Sequence, residues 1–95
     1  MLERDIEKKL ARLVKELGGL CYKFVSPGND GVPDRIIITP EGEVWFLELK
    51  TETGRLSPRQ KFQIDRLHRH RCSVLVTHGW EETERTVRAV FDNDI

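Results

Sequence analysis

The sequence predicts an α/β fold, a sandwich of helices around a short mixed β-sheet, with elements in the order α-β-β-β-α-β-α. Three observations predict it: an amphipathic N-terminal stretch, a strand–turn–strand unit at mid-chain, and a capped internal helix followed by a further strand. The chain has 95 residues, 38% hydrophobic and 34% charged, which is material for one core, so residues 1–95 read as a single domain.

Leu2, Ile6, Leu10, Leu13, Val14 and Leu17 recur at helical spacing, and Gly18-Gly19 stops that helix, giving a first element over residues 2–17. Leu20 to Val25 is strand-like, and Ser26 to Gly31 is a loop rich in turn formers. The runs Asp34–Thr39 and Val44–Lys50 flank the turn signal Pro40-Glu41-Gly42-Glu43. A hairpin folded about Glu41/Gly42 sets opposite each other residues whose numbers sum to about 82–84. Thr51 to Leu56 is a polar loop. Ser57 as N-cap, Pro58 at the first helical position and Gln60 as capping-box partner then start a second helix. It is expected to run to about Arg71 and to bury Phe62, Ile64 and Leu67. Ser73–Thr77 is a further strand, and Glu81–Phe91 a last helix. There are no repeats, linkers or low-complexity segments.

The hairpin frame carries the chemistry. It sets Asp34 across from the Glu48–Lys50 stretch, and alternation puts Glu48 and Lys50 on one strand face. Both faces of this strand are apolar through its middle, as expected for a strand covered on both sides. Glu48 and Lys50 interrupt the apolar pattern where burial should continue. Burying charges costs several kcal/mol unless they are paired or bind a metal. A Glu–Lys ion pair at a strand end explains Glu48 and Lys50 alone; with Asp34 opposite, the outline is that of a metal-dependent catalytic site.

Composition sets further bounds. No apolar run approaches the length of a membrane span, and Met-Leu-Glu-Arg-Asp lacks the layout of a secretion signal, so a cytoplasmic location is expected. Cys21 and Cys72 lack metal-ligand spacing and read as buried, reduced thiols. The formal net charge is zero, yet Arg55, Arg59, Lys61, Arg66, Arg69 and Arg71, with His68 and His70, crowd a segment whose single acid is Asp65. Such a face can hold phosphates, although a solvated helix surface looks the same in sequence. The tail is acidic, with Glu81, Glu82, Glu84, Asp92 and Asp94. His68 and His70 fall on different helix faces and cannot readily chelate together. Trp45 reads as core; Trp80 caps a strand end or serves an interface.

Gly31-Val-Pro-Asp34, Glu48-Leu-Lys50 and Ser57-Pro-Arg-Gln60, after an acidic N-terminal helix, resemble the VRR-NUC nucleases of the PD-(D/E)XK, restriction-endonuclease-like superfamily. The resemblance runs from Glu3 to Thr77 with motifs in order. It implies a nuclease like the small stand-alone phage and prophage members, homodimers that resolve four-way (Holliday) DNA junctions. Asp34 and Glu48 would be metal-binding carboxylates, with the Leu49 backbone carbonyl as a further ligand for Mg²⁺ or Mn²⁺. Lys50 would orient or help deprotonate the attacking water and offset charge on the phosphate. The helix-1 acid would be Glu7, with Glu3, one turn earlier on the same flank, as the second choice; either is also a plausible surface acid near a helix N-terminus. The resemblance turns Gln60 into the active site, a role that competes with its capping of Ser57. Lys23 matches a phosphate-contacting position but equally suits a solvent-facing strand, and Arg59, Lys61 and Arg66 are the other DNA-binding candidates.

Other classes are a catalytically silent DNA-binding module of the same fold, a nuclease for flaps or nicks working with a partner, and a structural domain with a charged strand end. Retention of Asp34, Glu48 and Lys50 argues against a pure binder. A structural domain leaves the Pro-Asp, the Glu-x-Lys and the basic helix as three coincidences.

Overall fold

The computed structural model describes residues 1–93 and contains α1 (Glu3–Glu16), β1 (Leu20–Lys23), β2 (Arg35–Ile38), β3 (Val44–Lys50), α2 (Pro58–Arg69), β4 (Val74–His78) and α3 (Gly79–Phe91). The strands form one mixed sheet in the order β1-β2-β3-β4. β1, β2 and β3 are antiparallel neighbours, whereas β4 runs parallel to β3 because α2 carries the chain across between them. Asp94, counted in the acidic tail, and the end of the proposed 1–95 domain lie outside the described residues.

The hairpin register matches the expected frame: Arg35 faces Leu47 and Ile38 faces Val44. Its turn closes through Gly42 N donating to the Thr39 carbonyl at 2.9 Å, with Gly42 at φ 90° in the left-handed region. Period-two alternation then divides β3. Leu47 and Leu49 join Ile37, Ile6, Leu10, Leu13, Val14 and Val87 in the main core, so α1 and α3 cover one sheet face. α2 packs on β4 with Gln63 and Ile64 buried, and its Gln60 reaches Glu48, on the opposite alternation of β3. Trp45 and Trp80 both pack at the edge of the main core, and the Lys9 ammonium lies 5.6 Å from the Trp80 ring centroid.

Both long helices ahead of β1 and β4 end in the same way. Gly18 at φ 82° follows α1, with Gly19 N donating to the Val14 carbonyl and Gly18 N to that of Lys15. After α2 the left-handed residue is Arg71, with Cys72 N on Leu67 and Arg71 N on His68. This stop ends α2 at Arg69, short of the expected Arg71.

Two residues expected in the core are exposed, and a third, Leu67, is only half-buried. Leu2 is the N-cap and 57% exposed; its amide donates to the Asp5 carboxylate at 3.2 Å. Phe62 is 43% exposed, because it stands two positions, about 200°, from buried Ile64. Cys21 and Cys72 are free and half-buried rather than fully buried.

Gly31 explains part of the Gly-Val-Pro-Asp run. It sits at φ 91°, and a Cβ there would lie 2.6 Å from the Arg59 carbonyl and 2.9 Å from Gln60 N. The loop before Asp34 therefore presses on the first turn of α2, and Pro33 behind it is fully buried. Gly42 shares the positive φ but has open space around it. Gly31→Ala should cost about 2 kcal/mol or more, lowering Tm by roughly 8 °C or more, and should exceed the cost of Gly42→Ala. Thermal melts of the two variants check this; equal shifts would mean that the contact with α2 is slack.

Candidate active site

Three carboxylates from three elements meet at one end of the sheet. β3 supplies Glu48, whose residue is 0% exposed; the residue just ahead of β2 supplies Asp34; the first turn of α1 supplies Glu3. One oxygen from each lies within 4.8 Å of the others. Lys50, two residues along β3 and so on the same face as Glu48, places its Nζ 3.7 Å from Glu48 Oε2.

Gln60 resolves the competition between its two roles by using both ends of its amide. Its Oε1 accepts from Ser57 N at 2.9 Å, while Gln60 N donates to Ser57 Oγ at 3.1 Å. Its Nε2 donates to Glu48 Oε2 at 3.4 Å. The capping box thus aims the side chain, and capping and site contact are one arrangement.

The other Glu48 oxygen, Oε1, is buried with no hydrogen-bond partner among the described residues. Burial, then the neighbouring Asp34 carboxylate, push the Glu48 pKa up to about 8; Lys50 opposes the shift and Glu3 adds to it. Glu3 is also raised, first by burial, then by Asp34 against Lys50, with a further contribution from Glu7. Mutually repelling carboxylates around an unpartnered buried oxygen are what a bound cation would relieve. The residues present therefore fit a metal ion, and oxygen donors suit a hard one.

The structure places Glu3, the second choice, in this cluster, and Glu7 outside it. Glu7 Oε1 instead pairs with Arg35 Nη2 at 3.3 Å. Arg35 was not among the sequence candidates, although its alternation with Ile37 sets it on the α1 side of β2. Its Nε is buried without a hydrogen-bond partner among the described residues. Lys23 is exposed at the end of the edge strand β1, in register with Arg35. Arg59, Lys61 and Arg66 are exposed on α2. His68 and His70 bond separately, to the carbonyls of Val74 and Arg66, and form no pair.

Comparison with known proteins agrees with this geometry. Residues 1–81 match the VRR-NUC domain, and the chain belongs to that family. The protein named "Putative nuclease p44" of Acyrthosiphon pisum secondary endosymbiont phage 1 is 45% identical over 65 residues, 68% of this chain and 70% of that one. Among solved structures, one described as "VRR_NUC domain" superposes with a TM-score of 0.83 at 28% identity, covering 90% of this chain and 94% of the other. A second, described as "VRR_NUC domain protein", gives 0.76 at 14% identity over 97% and 89%, a likeness of fold. The family and the phage relative support a nuclease. No helix among the described residues is long and apolar enough to cross a membrane.

The raised Glu48 pKa has a consequence for the metal-free protein. Its folded value, about 8, exceeds the ordinary 4.5, so the folded state holds this proton more tightly than the unfolded chain. Stability should therefore fall as pH rises between those values, by at most about 1.4 kcal/mol per pH unit. Urea midpoints in EDTA from pH 5 to 8.5 should decline in the wild type and flatten in Glu48→Gln. A flat wild-type profile would contradict the electrostatics.

Proposed function

We propose that this protein is a metal-dependent endonuclease that hydrolyses DNA phosphodiester bonds at branched structures, four-way junctions among them, as a homodimer using Mg²⁺ or Mn²⁺. The observation that carries the reading is the Glu3–Asp34–Glu48 cluster with Lys50 and Gln60 both on Glu48. Glu3, Asp34 and Glu48 would hold the ion, with the Leu49 main-chain carbonyl as a further ligand. When bound, such an ion supplies Lewis-acid polarisation of the phosphate and a lower pKa for the attacking water.

The chain's own groups do the remaining work. Lys50, tethered to Glu48, is positioned to hold the attacking water and to offset negative charge on the phosphate. Gln60, fixed by Ser57, presents an amide that orients water or substrate at little entropic cost. Glu7 holds Arg35 and so positions β2, and its charge acts on the site at a distance through Glu3. Lys23, Arg59, Lys61 and Arg66 contact the DNA backbone. The junction preference and the homodimer rest on the resemblance to the stand-alone members; two sites related by a twofold axis suit paired nicks on a symmetric junction.

Cleavage of a labelled four-way junction and of a matching duplex in Mn²⁺, Mg²⁺ or EDTA tests the reading. Asp34→Ala and Glu48→Ala should each lose more activity than the roughly 10–100-fold typical of an outer partner of a metal site. Glu3→Gln should be impaired and Glu7→Gln should retain most activity; the reverse order would restore Glu7 to the site. Neutralising Arg59, Lys61 and Arg66 together should weaken DNA binding and flatten its dependence on salt, and an unchanged slope would remove α2 from the interface.

A further inference from the structure

An open groove of about 270 Å³ runs between α2 and the loop that precedes Asp34. Phe24, Val32 and Leu67 give it apolar walls, and Asn29, Gln63 and Arg66 give it polar edges. Chain connectivity ties it to the candidate active site. Val32 stands two residues before Asp34, Gln63 stands one turn beyond Gln60, and Phe24 N donates to the Asp34 carbonyl at 2.8 Å. Gln63 Nε2 holds the Asp30 carbonyl at 3.3 Å, which couples the loop side of the groove to α2. Phe24 is itself held by Phe46 of β3, their ring centroids 5.5 Å apart.

Beyond the rim, the exposed Phe62 ring has guanidiniums near both ends of its helical row, Arg59 at 5.3 Å and Arg66 at 5.6 Å. Arg66 therefore belongs both to the groove and to this cationic surface. The only acid of α2, Asp65, is occupied by Arg69 at 3.4 Å. The α2 side of the groove is positively charged, Asp30 lies on the loop side, and the interior is aromatic and amide-edged, a combination that suits a base with its phosphates toward α2. Its size admits little more than one planar ring, since pockets for drug-sized ligands run to about 300–1,000 Å³. A base within a duplex cannot enter.

We propose that this groove is a subsite for one unpaired nucleotide of the DNA strand whose phosphate lies at the carboxylate cluster, with the base against Phe24 and Leu67 and its backbone held by Arg66 and Arg59. The assignment rests on the nuclease reading. It supplies a physical reason for a preference for branched DNA: a gap, flap or frayed end offers an unpaired base outright, and the pairs flanking the branch point of a junction lack a continuous stack and open at lower cost than those inside a duplex.

The test uses the full chain in Ca²⁺ with duplexes carrying a single unpaired 2-aminopurine nucleotide at a branch, beside the fully paired counterpart. The wild type should bind the unpaired probe roughly tenfold more tightly and change its fluorescence on binding. Asn29→Trp fills the groove from the exposed loop, and His70→Trp fills it from the end of α2. Whichever variant keeps the wild-type circular dichroism should lose the fluorescence change and bring the affinity ratio near one. A wild type without preference, or a folded groove-filling variant that keeps it, overturns the subsite. Cleavage in Mn²⁺ is scored separately: preference without any cleavage overturns the nuclease reading alone, and cleavage with a preference that groove filling does not move overturns the subsite alone.

Discussion

Glu48 is fully buried on an inner strand of the sheet, one of its oxygens has no partner among the described residues, and Asp34 and Glu3 bring two more carboxylates to it. Leaving a charge in that position costs several kcal/mol unless something neutralises it. Lys50 and Gln60 both engage Oε2 and leave Oε1 bare. Without a cation the cluster takes up a proton, which is the physical meaning of a Glu48 pKa near 8. The arrangement is thus unfavourable by itself and becomes favourable only with a positive charge between the carboxylates.

Much of the remaining fold can be understood as holding that cluster together. β3 lies inside the sheet, hydrogen-bonded to β2 on one side and β4 on the other, so Glu48 cannot retreat to solvent. The β2–β3 register sets Asp34 alongside it, and the buried Pro33 and close-packed Gly31 fix the loop that leads there. The same Gly31 contact seats the first turn of α2, where the Ser57 capping box aims Gln60. α1 is anchored along Ile6, Leu10, Leu13 and Val14, and the Glu7–Arg35 pair ties it to β2, which leaves Glu3 at the open end.

The parts legible in the sequence were those governed by local rules. Alternation and turn chemistry predict the hairpin frame that the structure shows, and Ser57-Pro-Arg-Gln60 predicts the start of α2. Capping and contact with Glu48 look like rivals for Gln60 only while its two amide atoms are treated as one group. The choice between Glu3 and Glu7 was not legible, because residues four apart share a helix flank and only the docking of α1 on the sheet separates them. Alternation could have found Arg35, and the two-residue step between Phe62 and Ile64 could have kept Phe62 out of the core. The groove beside Asp34 could not have been found, since its walls come from a loop, β2's approach and α2 together.

A thermal-shift titration with Mn²⁺ at pH 8 distinguishes a divalent-cation site at the carboxylates from a cluster that only takes up a proton. With a cation site, Tm should rise with Mn²⁺ in the wild type, by about 2.7 kcal/mol of added stability at a hundredfold excess over Kd, and the rise should disappear in Asp34→Ala. A wild-type Tm indifferent to Mn²⁺, or an equal rise in Asp34→Ala, would contradict a cation site there.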